Sequence, residues 1–535
     1  MANVYIDNAT GNDANTYAQA QVPATPWKTI SKFINSTDVV TGDIALVTPG
    51  AYASEGSGYV RIATNANGKT LTVKRNGSTG TVAVTGSSTS LLVYVEATIA
   101  TGSFTFENIA FTAPATFSSG NIVRFRGAGA GCTATLTFTG CTFAIADGGT
   151  GSICYGESIT GSGRVLVMTN CTATVNQGFL DLDNSASETF TNCTFTSTGA
   201  TNYHGFRLRG THTTFKINGG TYTLGASSTN GALISLNFST SLTALTNCIL
   251  KGATFTSGAG VHTVWIRNLV TNTRVENCTV RHTGAVAGAI ALKIGEDGQS
   301  DLDSKTLGRG VITGCTIGSE SSHSLLIGGS ASGWIVTDTF VDSDGDIGIV
   351  VKGEDCAFMR NTVYGNRPFY LKGANRAKVL NNSFYCTSNA ADSGCFDWET
   401  DTDTCVDAVI MNNIIHAGLG SYALCDHSGT SINMCCDGNV YVTGTLGLAY
   451  LGGAAKADIA ALKTAWATYT PTFADNDVNS TVGTLTFVSP STGDFRVKTT
   501  SIASGSQPII SPTLRSWNDK GAWQRRVLRG QVIDY

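Results

Sequence analysis

Asn170-Cys171-Thr172, Asn192-Cys193-Thr194 and Asn277-Cys278-Thr279 are three copies of one fragment. Looser copies occupy the intervals: Gly140-Cys141-Thr142-Phe143, Gly219-Gly220-Thr221-Tyr222, Asn247-Cys248-Ile249-Leu250 and Gly314-Cys315-Thr316-Ile317. Further on come Arg360-Asn361-Thr362-Val363, Asn381-Asn382-Ser383-Phe384 and Asn412-Asn413-Ile414-Ile415. A small or polar pair followed by an apolar residue, returning at the period of a solenoid, marks a chain built of stacked coils.

The unit extends beyond this signature. Phe206-Arg207-Leu208-Arg209-Gly210 leads to Phe215-Lys216-Ile217-Asn218, and Phe369-Tyr370-Leu371-Lys372-Gly373 leads to Val379-Leu380-Asn381-Asn382. Apolar and polar residues alternate, and Gly, Asn and Asp stand at the breaks. Each unit therefore reads as short β-strands joined by tight turns. Helical patterning is confined to residues 27–35 and 458–467. Stacked strands lie about 4.8 Å apart, so equivalent residues form columns. Cys141, Cys171, Cys193, Cys248, Cys278 and Cys315 are expected to point inward as one apolar column, because a free thiol packs as a small hydrophobe. The repeated Asn are expected to form a ladder as well, which satisfies the backbone at a sharp turn where Asn tolerates left-handed geometry.

This pattern resembles the right-handed parallel β-helices of the pectate-lyase-like superfamily, phage tailspikes and fibres among them. The resemblance is strongest at the two ends. Val4-Tyr5-Ile6-Asp7, Thr10-Gly11-Asn12-Asp13, Pro26-Trp27-Lys28-Thr29-Ile30 and residues 42–52 look like that superfamily's N-terminal cap. Gly493-Asp494-Phe495-Arg496-Val497, Ser501-Ile502-Ala503-Ser504-Gly505 and Lys520-Gly521-Ala522-Trp523-Gln524 resemble its closing segment. The fold implied is all-β: a single-stranded right-handed parallel β-helix with an N-terminal cap helix and an irregular C-terminal closing segment. The expected divisions are a cap over 1–50, the β-helix over 51–450 and the closing segment over 451–535.

Composition narrows the partners. Of 535 residues only 13% are charged, and net charge is −4. The chain as a whole carries no nucleic-acid signal. With no run of 18 apolar residues, no membrane span is expected. Met1-Ala2-Asn3 runs straight into the first strand without an apolar leader, so export through the Sec route is not expected. There are 15 Cys in a long chain, more consistent with reduced ladder thiols than with a disulfide scaffold. Cys386, Cys395, Cys405, Cys425, Cys435 and Cys436 leave one or two disulfides open. Their spacing contains no C-x-x-C pair, which argues against zinc.

Candidate chemistry lies at the end of each unit's first strand. Aligned coils place Arg126, Asp183, Arg209, Asn237, Arg267, Lys293, Lys352, Lys372, Glu399 and Asp426 in one outward column. The bland reading is that outward positions must be polar. The sharper reading is a basic stripe that tracks an anionic polysaccharide and turns acidic after residue 397. For the superfamily's β-elimination of uronic acids, a base and a cation are needed. Lys352, Lys372, Arg367, Tyr370 and Arg376 fall on adjacent coils and could supply them. Neighbouring lysines would depress each other's pKa.

For glycoside hydrolysis the candidates are Asp397 and Glu399, placed on one strand face roughly 6.5–7 Å apart at Cα, with Trp398 as a stacking surface. The expected catalytic set is thus Asp397, Glu399, Lys352 and Lys372. The expected binding set is Trp398, Arg367, Tyr370, Arg376, Lys293 and Arg267. No cofactor or resident metal is expected. Ca²⁺ is the one ion that Asp342-Ser343-Asp344-Gly345-Asp346 could take, although Gly353 replaces the closing Glu of an EF-hand.

Three functions fit. The first is a virion-associated tailspike or fibre that binds a host surface polysaccharide, with or without depolymerising it. It would be made in the host cytoplasm and assemble as a homotrimer or with other virion proteins. The second is a secreted, extracellular polysaccharide lyase or glycoside hydrolase. The third is a non-catalytic structural or adhesive β-helix.

Overall fold

The computed structural model describes residues 1–497 apart from 54, 56–57, 86–90, 97–98, 119, 126–132, 147–148, 157–162, 199–203, 226–230, 237–243, 259–261, 267–269, 296–308, 389–392, 400–404, 427–433, 468–476, 478, 484–486 and 490–493. The chain forms two compact units. The first comprises Met1–Val261 with Trp265–Thr271, and the second comprises His262–Val264 with Asn272–Tyr535.

In the first unit every coil contributes three strands, each hydrogen-bonded in parallel to its counterparts one coil away. Thr135–Thr139 lies between Ser103–Glu107 and Val165–Thr169. Thr142–Ile145 lies between Ile109–Ala113 and Thr172–Val175. Gly151–Gly156 lies between Gly120–Phe125 and Leu180–Thr191. Alternation sets the faces: Leu136 and Phe138 are buried, while Thr135, Thr137 and Thr139 are half-buried. Inward rings stack from coil to coil, as in Phe106–Phe138 and Phe111–Phe143.

The second unit repeats the plan. Ala357–Met359 lies between Ile335–Thr337 and Lys378–Leu380. Ser383–Cys386 lies between Thr362–Lys372 and Ile414–His416. Gly394–Glu399 lies between Thr362–Lys372 and Tyr422–Asp426. Parallel strands joined by crossovers wind right-handed, and the fold is a right-handed parallel β-helix.

Helix is scarce, as the sequence implies. Ile30–Asn35 buries Ile30, Phe33 and Ile34, and the Thr29 side chain accepts from the Lys32 N–H to cap it. Ile459–Trp466 is capped by Asp458 and buries Leu462, Ala465 and Trp466. The short helix Tyr17–Ala20, closed by a Thr16/Gln19 capping box, was not expected. The N-terminal strand Asn3–Ile6 pairs in parallel with Ile44–Val47. The C-terminal motifs at 501–505 and 520–524 lie outside the described residues.

The signature marks one turn of each coil. Its first residue is left-handed. In the first unit these residues are Asn108, Gly140, Asn170, Asn192, Gly219 and Gly252, with φ between 50° and 66°. In the second they are Asn277, Gly314, Asp338, Arg360, Asn381, Asn412 and Gly438, with φ between 52° and 64°. Such values suit Gly and Asn. Arg360 is the odd member, and its guanidinium bonds both carboxylate oxygens of Asp338 at 2.8 Å.

The residue after the left-handed one points inward. Cys141, Cys171, Cys193, Cys278 and Cys315 stand there and are at most 1% exposed. Their thiols are hydrogen-bonded to backbone carbonyls: Cys141 to Phe106, Cys171 to Phe138, Cys193 to Met168 and Cys315 to Val275. Cys248 is the exception. It is buried, but it sits mid-strand opposite Phe215, and the turn of its coil is Gly252-Ala253. The Asn247-Cys248 copy is therefore not a turn. Asp338-Thr339 is a further turn of this kind, outside the copies of the sequence signature.

From residue 361 onward, Asn replaces Cys. Oδ1 of Asn382 accepts the Asn361 N–H at 2.8 Å, Oδ1 of Asn413 that of Asn382 at 2.8 Å, and Oδ1 of Asn439 that of Asn413 at 2.9 Å. Each amide also donates to a carbonyl of a neighbouring coil, Asn361 to Val336 at 2.9 Å and Asn413 to Val379 at 2.9 Å. Buried backbone groups at the turn are thereby satisfied without solvent.

Asn413→Ala strands the Asn382 N–H and the Val379 carbonyl in the interior. At about 1–3 kcal/mol for each unsatisfied buried group, it should cost about 3 kcal/mol or more in a chemical melt. An unchanged midpoint would remove the ladder from the account of stability.

Candidate functional site

The residues expected to form one site in the second unit are distributed by the register into separate columns. Lys293, Leu326, Val350, Tyr370, Asp397 and Cys425 follow one another on the outward face of the third strands. Lys372 stands opposite Glu399 two residues further along. Lys352 follows Val351, the partner of Leu371, and so belongs with that second column. Lys293 therefore does not align with Lys352 and Lys372. Asp426 does not either, because it is opposite Trp398 on the inner face. Lys352 and Lys372 are half-buried. Arg267 lies outside the described residues, and of Glu399 only the backbone is described.

Trp398 cannot be a stacking surface for a ligand. It is 0% exposed, its ring lies parallel to Trp466 at 6.1 Å, and it meets Phe396 edge-on at 5.8 Å. The cause is strand alternation: if Asp397 and Glu399 share one face, the residue between them takes the other. Asp397 is on the outward side yet only 1% exposed. Tyr370 is likewise buried, in an apolar cluster with Ile290, Leu326, Ile347 and Val350.

Arg367 bonds Asp346 at 3.0 Å. Burial lowers its guanidinium pKa, but Asp346, Asp397 and Tyr370 together hold it above its ordinary value. Arg376 is turned elsewhere, onto Glu354 at 2.8 Å and Asp355 at 2.6 Å. The acidic run at 342–346 is likewise engaged, Asp342 with Arg281 at 3.0 Å and Asp346 with Arg367. Among the described residues no three such side chains converge as metal ligands.

A better-formed site lies on the outward face of the first unit. The third strands there carry the column Arg61, Tyr94, Arg124, Tyr155, Asp181, Arg207. Its later members, with Asn121 and His204, line a concave pocket of about 320 Å³. The local pattern that turns them outward is a polar residue between two buried ones. Val123-Arg124-Phe125, Leu180-Asp181-Leu182 and Phe206-Arg207-Leu208 each bury the flanks and leave the middle half-exposed. This triplet was the available signal. The stripe proposed from sequence followed the strand ends, Asp183 and Arg209, one outward position further along.

Those two residues brace the pocket. Nε of Arg209 bridges Asp181 and Asp183, 2.9 Å from each carboxylate, and Arg207 lies 3.7 Å from Asp181. Burial raises the Asp181 carboxyl above its ordinary value, against Arg209 and Arg207, which pull it down. For Arg209, burial acts downward, but Asp181, Asp183 and the Tyr155 phenol hold its pKa above the ordinary value. On the pocket's other side, Nδ1 of His204 accepts the Ala232 N–H at 3.0 Å.

The pocket thus offers fixed cations, a carboxylate, an amide and a phenol at the positions of successive coils. This can hydrogen-bond a polar, repeating ligand. With one arginine locked between them, Asp181 and Asp183 are placed as acceptors rather than as an acid and a base separated by a water.

No known family model matches the chain, and no curated protein sequence does. Among solved structures it is similar to a rhamnogalacturonan lyase, at 13% identity, 62% of this chain, 84% of that one and a TM-score of 0.35. It is also similar to a double mutant of a periplasmic alginate epimerase, at 10% identity, 72% of this chain, 79% of that one and a TM-score of 0.36. A third is bacteriophage CBA120 tailspike protein 3, at 12% identity, 82% of this chain, 56% of that one and a TM-score of 0.25. At these identities the likeness is one of fold alone.

Because Trp398 is a core side chain, Trp398→Ala should lower stability by about 3–5 kcal/mol, read by denaturant unfolding. A variant with the native melt and a selective loss of ligand binding would restore it to a surface role.

Proposed function

We propose that the protein is a glycan-binding β-helix which a virion carries as a spike or fibre, and that its ligand is a host surface polysaccharide. The observation that carries the binding part is the pocket of the first unit, where Arg124, Tyr155, Asp181 and Arg207 come from successive coils. A polysaccharide is itself a linear repeat of polar rings. A column of polar side chains spaced by about 4.8 Å meets it unit by unit.

Charged and amide side chains in a concave wall satisfy sugar hydroxyls in pairs. The arginines favour a glycan bearing carboxylates, which they can engage through two parallel bonds. The bridged carboxylates favour binding over depolymerisation at this pocket.

The virion part is supported by the thiols. Those of Cys141, Cys171, Cys193 and Cys315 are hydrogen-bonded inside the coils as the free thiol. That suits assembly in a reducing cytoplasm. A homotrimer belongs to this reading, and the mass of the native particle in solution tests it.

The test of binding is retention of acidic and neutral polysaccharides by the purified full chain. Tyr155→Ala and Arg207→Ala should each weaken binding of an acidic polysaccharide by about tenfold, equivalent to about 1.4 kcal/mol. The thermal midpoint should stay near native. Binding should also fall as salt rises from 0.05 to 0.5 M, as expected for half-exposed cations screened over roughly 10 Å. Retention unchanged in both variants would exclude the pocket as the binding site.

A further inference from the structure

Beyond the bulge that follows the pocket-bearing stretches 180–183 and 206–209, the first unit buries a cluster of ionisable and polar side chains. Arg164, Ser185, Glu188 and His212 are each no more than 1% exposed. Ionisable groups in a coil interior are costly unless paired and hydrogen-bonded, so their arrangement calls for a purpose beyond packing.

The ring of His212 lies between two acceptors. Nε2 lies 2.7 Å from the Arg209 carbonyl, which can only accept. Nδ1 lies 3.1 Å from the Glu188 carboxylate and 2.7 Å from the Ser185 hydroxyl. The hydroxyl is itself bonded to the same Glu188 oxygen. A neutral imidazole has one donor and one acceptor. The Arg209 carbonyl and the Glu188 carboxylate are both acceptors, and the doubly protonated ring donates to both at once.

Other charged groups facing this ring, among the described residues, are few. Arg164 approaches from the preceding coils and opposes a second positive charge, while the neighbouring position on the following coil is the apolar Leu245. The thiol of Cys154 also faces Arg164 and Glu188, and burial pushes its pKa up, which keeps it neutral. For His212, burial acts downward, yet Glu188 and the Arg209 carbonyl outweigh it and hold the pKa above its ordinary value.

The cluster grips the backbone where the pocket is built. Between Leu180–Thr191 and Phe206–Asn218 the register slips: Asp183 is opposite Arg209, but Ser185 is opposite His212. Two residues thus face one, which is a β-bulge. Asn184 and Gly210 there have φ of 44° and 78°. Arg164 donates to the carbonyls of Asp183 and Asn184, and His212 donates to that of Arg209. The two carbonyl-bearing residues on either side of the bulge, Asp183 and Arg209, are the pair that braces the pocket.

We infer that His212, charged and paired with Glu188, is a positioning residue that locks this bulge, so that Asp183 and Arg209, which brace Asp181 in the pocket wall, are held by an interior proton. The proposal rests on the pocket reading for its functional meaning, but not for its chemistry. A folded pKa above the unfolded value of about 6.5 means that stabilisation is complete below that value. It is lost as pH rises through the folded pKa.

The test needs no glycan. In the full chain labelled with ¹⁵N-histidine, one ring, absent from the spectrum of His212→Gln, should carry protons on both nitrogens at pH 6.5 and titrate above it. Glu188→Gln should lower that midpoint by about 1–3 pH units, the usual effect of removing an adjacent opposite charge. Protection of the backbone amides at residues 183–185 and 209–212, taken relative to the intrinsic exchange rate at each pH, should fall above the midpoint in the native chain, while that of the Asn361–Asn439 turns holds. A neutral His212 at pH 6.5, or exchange at the bulge that ignores its titration, overturns the proposal. A charged His212 in a protein that retains no polysaccharide leaves the proposal standing and defeats only the glycan reading.

Discussion

The stacking of this fold depends on how the inward residue after the left-handed position, where it is Cys or Asn, satisfies the backbone it buries. A solenoid turn must bring N–H and C=O groups inside, away from water, where each unmet group costs free energy. At the Cys and Asn turns the chain solves this with side chains that reach a neighbouring coil. In the first unit a thiol lies against a carbonyl, as Cys171 does with Phe138. In the second unit the Asn series does more, since each amide oxygen also accepts the N–H of a neighbouring coil's Asn. Because such bonds are made between coils, they also fix the register in which strands stack. Register then decides which side chains share a column.

That dependence explains how much could be read from the residues. The signature is local and periodic, so coils, parallel strands and buried cysteines follow from it. The repeats also imply an Asn ladder that satisfies the backbone at the turn, and Asn361, Asn382 and Asn413 form one at the inward position. Cys248 was misplaced because Asn247-Cys248 imitates the signature in the middle of a strand, and burial there comes from ordinary alternation opposite Phe215. The site was less legible. A stripe drawn through Lys293, Lys352 and Lys372 crosses two columns, since the distance from turn to strand end differs between coils. Trp398 looked available beside two acids, yet those acids on one face require its ring on the other.

The outward face of the third strands has opposite characters in the two units. In the second it reads Leu326, Val350, Tyr370 and Asp397, all buried. In the first the equivalent positions read Arg124, Tyr155, Asp181 and Arg207, half-exposed around a concavity. The same backbone geometry serves packing in one and recognition in the other. The brace of the pocket is tied to the interior: the bulge that carries Asp183 and Arg209 is held by Arg164 and His212. Room for Arg164 is left by Gly156, where an added Cβ would come within 2.2 Å of its guanidinium.

The central claim is that ligand recognition belongs to this column of the first unit. A crystal structure of the full chain with an acidic oligosaccharide addresses it most directly. Sugar rings are expected across Arg124, Tyr155, Asp181 and Arg207, with a carboxylate on at least one arginine. Ordered sugar on the Lys352–Lys372 face, with the first-unit pocket holding only solvent at saturating ligand, would contradict it.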